Sequence, residues 1–210
     1  MNKVVSIRNI KGGVGKTTLA TNMLGVGQRD ASACLIDIEG NDSMEWMRRG
    51  GRYGGHVAEA RSEERLRYLL EQAALRRWWS FINTPGERST PVISAAVAAA
   101  SLVVIPMTCN QLDLPRTVDT VKEIRRANRK FLIVLNKAMP RVEGVDARQT
   151  AAVRETLSPY RENLWAGQIT RAILFDYAAI AGVSVVDYGP HERAAIEIAS
   201  LFAHIRRLCQ

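Results

Sequence analysis

The sequence is short of cysteine, of lysine and of long apolar runs. Its three cysteines, Cys34, Cys109 and Cys209, are odd in number, far apart and never spaced C-x-x-C. That excludes a disulfide framework and leaves no zinc or iron–sulfur ligand set. No stretch reaches the roughly 18 apolar residues that a membrane-spanning helix needs. The opening Met1-Asn2-Lys3-Val4-Val5-Ser6-Ile7-Arg8 has neither the apolar region nor the cleavage site of a secretory leader, so a cytoplasmic location is expected. There is no internal repeat, low-complexity tract or linker long enough to split the chain. Acidic side chains are in deficit, 21 against 29 Lys and Arg, for a net charge of +8. Lysine stands only at positions 3, 11, 16, 122, 130 and 137, so most of the positive charge is Arg. Guanidinium groups suit bidentate phosphate contacts, and the excess suggests a polyanionic partner. The competing explanation is compositional bias of the source genome.

What is present is enough apolar residue, 47% of 210, for one substantial core, and one domain spanning 1–210 is expected. Short apolar runs at Val4 to Arg8, Ala33 to Ile38, Trp79 to Ile82, Leu102 to Pro106 and Phe131 to Leu135 read as buried strands. Between them, helical spacing runs from Lys16, over Glu63 to Arg77, Pro91 to Ala100, Leu114 to Arg126 and Val145 to Leu157. The tail reads as a helix at Ala172 to Ala181, a strand at Ser184 to Val186 and a helix from His191 to Leu208. Gly50 to Gly55 reads as a loop or mobile segment. Continuous apolar strands alternating with helices predict an α/β fold, a mostly parallel sheet with helices on both faces.

One segment carries chemistry. Lys11-Gly12-Gly13-Val14-Gly15-Lys16-Thr17-Thr18 falls between a strand and a helix, the setting a phosphate-binding loop requires. Glycines let backbone N–H groups turn inward around a phosphate, and the helix N-terminus adds its dipole. Lys16 can reach the β- and γ-phosphates, and the Thr17 hydroxyl can hold Mg²⁺. The general pattern G-x-x-x-x-G-K-[ST] wants glycine at position 10, where this chain has Ile10, and the loop carries a second lysine, Lys11.

That K-G-G-x-G-K-T-T form resembles the deviant Walker A motif of the ParA/MinD ATPases, in which the extra lysine crosses a dimer interface to the other subunit's ATP. Later segments resemble the family in order: Leu35-Ile36-Asp37-Ile38-Glu39 with Ser43 and Trp46, Phe81-Ile82-Asn83-Thr84-Pro85-Gly86 at the Walker B strand, Val104-Ile105-Pro106 with Leu112-Asp113-Leu114, and Val134-Leu135-Asn136-Lys137. The resemblance implies a P-loop ATPase, slow and partner-stimulated, with ATP and Mg²⁺ as cofactors. Lys11, Lys16, Asp37 and Glu39 would be catalytic. Gly12, Gly13, Val14, Gly15, Lys16, Thr17, Thr18 and Asn136 would bind the nucleotide, Asn136 through adenine. Thr17, Asp37 and Asn83 would attend the metal. It further implies an ATP-dependent homodimer that binds nonspecific DNA on the nucleoid, a small centromere-binding protein that activates hydrolysis, and plasmid partition of the small type without an operator-binding extension. The alternative is a slow switch or scaffold that positions a protein cargo or a conjugative-transfer complex. A MinD-like membrane role ranks lower.

Three positions depart from the family. The Walker B aspartate is Asn83, the second acidic residue of D-x-D is Glu39, and Gly40-Asn41 replaces Pro-Gln. Loss of a carboxylate beside the metal predicts slow hydrolysis, unless Asp37 and Glu39 compensate. For the polyanion, Lys122, Arg125, Arg126, Arg129 and Lys130 crowd one helix end with only Glu123 opposing, and Arg206 and Arg207 close the last helix. Both clusters also suit helix C-termini electrostatically. The apolar positions of the last helix, from Ile196 to Leu208, are expected to pack on the sheet rather than on a membrane. Trp78 and Trp79 read as packing residues, and neither His56, His191 and His204 nor Cys109 shows the spacing of a metal or nucleophile site.

Overall fold

A computed structural model describes residues 3–30, 32–38, 42–87 and 89–210. Seven strands form one sheet: β1 (Lys3–Ile7), β2 (Ala33–Asp37), β3 (Val57–Glu59), β4 (Trp79–Asn83), β5 (Leu102–Thr108), β6 (Phe131–Ala138) and β7 (Ile169–Thr170). Their order is β3-β2-β4-β1-β5-β6-β7, and every pairing is parallel. The helices are α1 (Lys16–Asp30), α2 (Asp42–Gly50), α3 (Glu63–Leu75), α4 (Pro91–Ala99), α5 (Leu114–Arg126), α6 (Arg148–Thr156), α7 (Leu174–Ile180), α8 (Val185–Tyr188) and α9 (Arg193–Leu208).

Strand alternation divides the core into two layers. Phe81, Leu102 and Val104 face α1 and α9, where Leu19, Met23, Ile198 and Phe202 meet them. Their neighbours Ile82, Val103 and Ile105 face the other way, onto α3 to α6. With both faces covered, the strands carry apolar residues at nearly every position, which is why they read as continuous runs. In α9, Ile198, Leu201, Phe202 and Ile205 are buried against the sheet, while Ile196 points outward and is 59% exposed. Among the described residues no helix is long and apolar enough to cross a membrane.

One expectation is corrected here. Ser184 to Val186 is not a strand: Ser184 caps α8, its hydroxyl accepting from Val186 N at 3.4 Å. Two valines after a serine look like strand, but the cap and the Asn22 side chain, which accepts from Val185 N at 2.8 Å, decide for helix. Gly50 to Gly55, read as a loop or mobile segment, is a turn tied to the core. Gly50 ends α2, and Tyr53 is buried, stacked on Trp46 at 4.8 Å and donating its hydroxyl to Asp187. The turn then feeds the short strand β3, which has too few residues to show a period.

Candidate nucleotide site

The site lies where the central strands end. β1 runs into the loop 8–15, and α1 starts at Lys16. None of the N–H groups of Gly12, Gly13, Val14 and Gly15 meets an acceptor among the described residues. Such a run of free donors at a helix N-terminus is an anion cradle. Gly15 has φ +90°, and a Cβ there would stand 2.2 Å from Asn136 Nδ2, so only glycine fits. Lys16 is buried, with Nζ curling back to donate to the Lys11 carbonyl at 3.1 Å. Lys11 itself is exposed on the outer edge of the loop.

Asn136 and Lys137 brace the loop from below. Asn136 Nδ2 donates to Val14 O at 2.8 Å, and its Oδ1 accepts from Lys137 N at 3.0 Å. Lys137 Nζ donates to Gly13 O at 2.9 Å, from a left-handed backbone with φ +55°. The structure thus gives the Asn136 amide a loop-holding contact; its adenine contact stands as a proposal. Lys137 belongs to the motif, but its role is not legible in the sequence, because only the fold brings β6 beneath the loop.

On the metal side, Thr17, Asp37 and Asn83 are brought together, with Ser43 from α2 as a fourth member that spacing did not reveal. Asn83 Nδ2 donates to Thr17 Oγ1 at 3.2 Å, to Asp37 Oδ1 at 3.4 Å and to Ser43 Oγ at 3.5 Å. Asp37 and Asn83 are buried, 0% and 1% exposed, and Asn83 Oδ1 meets no hydrogen-bond partner among the described residues. A hydroxyl, a carboxylate and an orphaned amide oxygen are hard oxygen donors, a set that fits Mg²⁺ shared with phosphate and water. Among the described residues no group of three His, Cys, Asp or Glu gathers as an all-protein metal cage. Glu39, Gly40 and Asn41 lie outside the described residues.

The basic clusters sort by what already holds them. Lys122 pairs with Asp119 at 3.7 Å, and Arg125 lies over the rings of Phe131 and Tyr160 at 5.7 and 5.4 Å. Arg126, Arg129 and Lys130 are exposed and have no carboxylate partner among the described residues. Glu123 does not oppose them, because it is paired with buried Arg8 at 3.0 Å. Arg206 pairs with Asp30 at 3.1 Å, and Arg207 donates toward His204 at 3.3 Å. The Cys209 thiol is pushed up chiefly by burial, against the opposing charges of Lys130 and Lys3. Residues 127–130 lead into β6 and Lys3 opens β1, so this surface lies at the edge where strands begin, opposite the phosphate loop. Burial likewise pushes the Cys109 thiol up, an inert setting in which it accepts from Thr150 Oγ1 at 3.5 Å.

A parallel sheet, a glycine loop leading into α1 and a hydroxyl–carboxylate pair beside it define a P-loop nucleotide-binding protein with the site of an ATPase. Comparison with known proteins narrows the class. No protein-family model matches the chain. The maintenance of carboxysome distribution protein A of Gloeobacter kilaueensis is 28% identical over 199 residues, 92% of this chain and 88% of that protein. A ParA family ATPase from Chlorobium tepidum superposes with a TM-score of 0.73 at 16% identity, covering 97% of this chain and 98% of its own. The septum site-determining protein MinD of Pyrococcus horikoshii, solved with Mg-ADP, gives 0.72 at 15% identity over 99% and 97%. The homologues and structural neighbours of this chain are P-loop ATPases of the ParA/MinD type.

Proposed function

We propose that this chain is an ATP-driven dimerising switch that places a cargo along DNA. The observation that carries the reading is the loop itself: four unaccepted N–H groups, a buried Lys16 and an exposed second lysine, Lys11. ATP sits with its phosphates in the loop and its γ-phosphate toward Lys16. Thr17 and Asp37, with the Asn83 side chain beside them, would hold Mg²⁺, and the ion would supply neutralisation of phosphate charge. Lys11, being exposed, reaches across to the second nucleotide when two copies meet face to face. Water attacks the γ-phosphorus in line; the bond to the β–γ bridging oxygen breaks, leaving ADP and phosphate, and the lysines stabilise the charge.

The basic surface faces away from the loop, so a dimer closed through the nucleotide edges keeps both surfaces open to nonspecific duplex DNA on the nucleoid. Likeness to a protein named for carboxysome distribution favours a protein assembly as cargo. Replicon partition, with a small centromere-binding activator, is the second reading and rests on the resemblance of the loop and the later segments to ParA proteins. The test is fluorescent-nucleotide titration with phosphate release. Wild type binds ATP with Mg²⁺ and releases phosphate slowly, and Lys16→Ala loses both. Binding that survives Lys16→Ala overturns the site.

A further inference from the structure

Arg8 is the largest side chain in the protein that is completely buried, at 0% exposure among the described residues. A buried guanidinium carries a heavy desolvation penalty, offset only by a full set of acceptors. Arg8 has that set. Nε and Nη2 grip the Glu123 carboxylate of α5 at 3.3 and 3.0 Å. Nη1 donates to Pro85 O at 3.0 Å, and Nη2 to Glu87 O at 2.9 Å. The two carbonyls flank Gly86.

Gly86 is pressed onto the phosphate loop. A Cβ at this position would stand 2.9 Å from Lys16 Nζ, 3.0 Å from Gly12 Cα and 3.1 Å from Gly12 N. Its own N–H meets no acceptor among the described residues. One guanidinium therefore holds both sides of a free donor that sits beside the lysine assigned to the γ-phosphate. The next two residues of the loop are fixed to the same helix: Asn9 Nδ2 donates to Thr117 Oγ1 at 3.2 Å, and Ile10 N to Thr120 Oγ1 at 3.1 Å. α5 is thus the fixed wall, and Arg8 is the arm that reaches from it to Gly86.

We propose that Arg8 is a positioning residue that, anchored by Glu123, holds the Gly86 N–H as a donor to the terminal phosphate, so that the site favours ATP over ADP. The proposal rests on the nucleotide reading of the loop. An apolar residue would fill the same space; only a fork of donors can fix two carbonyls at once. Lysine at this position keeps the charge but loses the fork. Arg8→Lys and Glu123→Gln, in the full chain, are compared with wild type by displacement of a fluorescent ADP with ADP and with ATPγS, alongside thermal melting.

Arg8→Lys is expected to weaken ATPγS on the order of tenfold relative to ADP, and Glu123→Gln to shift the ratio the same way, with ADP binding little changed. A merely structural Arg8 would lower both affinities together with the melting temperature, and that result overturns the proposal. So does an unchanged ratio in folded variants. If Arg8→Lys fails to fold, Glu123→Gln decides by the same criterion. Wild type that binds neither nucleotide overturns the reading of the loop itself, a failure distinct from that of the clamp.

Discussion

Asn83 donates its amide to the Thr17 hydroxyl at 3.2 Å and to the Asp37 carboxylate at 3.4 Å. The amide thus donates to Asp37 where a second carboxylate would repel it unless a metal lay between them. Restoring the second carboxylate changes both demands. Asn83→Asp is expected to bind Mg²⁺ more tightly and to raise phosphate release tens-fold or more, the scale on which single positioned charges act. Chelation with EDTA should lower the melting temperature of Asn83→Asp more than that of wild type. Equal turnover in the two proteins would show that Asn83 does not slow hydrolysis.

The proposed DNA surface is tested by salt. Arg126, Arg129 and Lys130 are exposed without carboxylate partners, whereas Arg206 is tied to Asp30. Each phosphate contact contributes a slope of about −0.9 in log affinity against log salt. Arg126→Ala with Arg129→Ala should flatten the slope by about 2 and weaken binding to duplexes of any sequence alike. Arg206→Ala should change it less. A slope unmoved by the double variant would remove this surface from DNA binding.

Asp146 provides a pH test away from the site. It accepts from Arg141 Nε at 2.5 Å and Arg154 Nε at 2.7 Å, and Arg154 also fixes Trp165 O and Gly167 O at 3.0 and 2.7 Å. Burial alone would raise its carboxyl, but the two guanidinium groups outweigh that and hold it below the ordinary range. A lowered native pKa means stability that is full above the unfolded pKa and lost as pH falls through the native one. Asp146→Asn should cost about 1–3 kcal/mol at neutral pH. The difference from wild type should shrink on acidification below the ordinary carboxylate range. A gap that stays constant in acid would mean the charge is not what Asp146 contributes.

How much of this was legible in the sequence differs by element. The five core strands and the helix Leu114–Arg126 were readable because burial on both faces, or one clean amphipathic stripe, leaves a periodic trace. The strands β3 and β7, with three and two residues, are too short for a period and exist by pairing with β2 and β6. The phosphate loop was legible because its chemistry is local. Ser43, Lys137 and Gly86 stand in the motif segments without a role, and Arg8 has none, since each acts across the fold on a loop distant in sequence. Glu123 was misread as opposing the basic cluster because nothing in the sequence showed that Arg8, 115 residues away, engages it.

The central claim is an ATP-gated dimer closed through Lys11 whose far surface holds DNA. Light scattering coupled to size exclusion, with ATP and Mg²⁺ and then with ADP, followed by binding to a nonspecific duplex, tests it most directly. The expected result is a dimer only with ATP, duplex binding only by that dimer, and a Lys11→Ala variant that still binds ATP but stays monomeric. A monomer in both nucleotides, or duplex binding indifferent to nucleotide, would contradict the account.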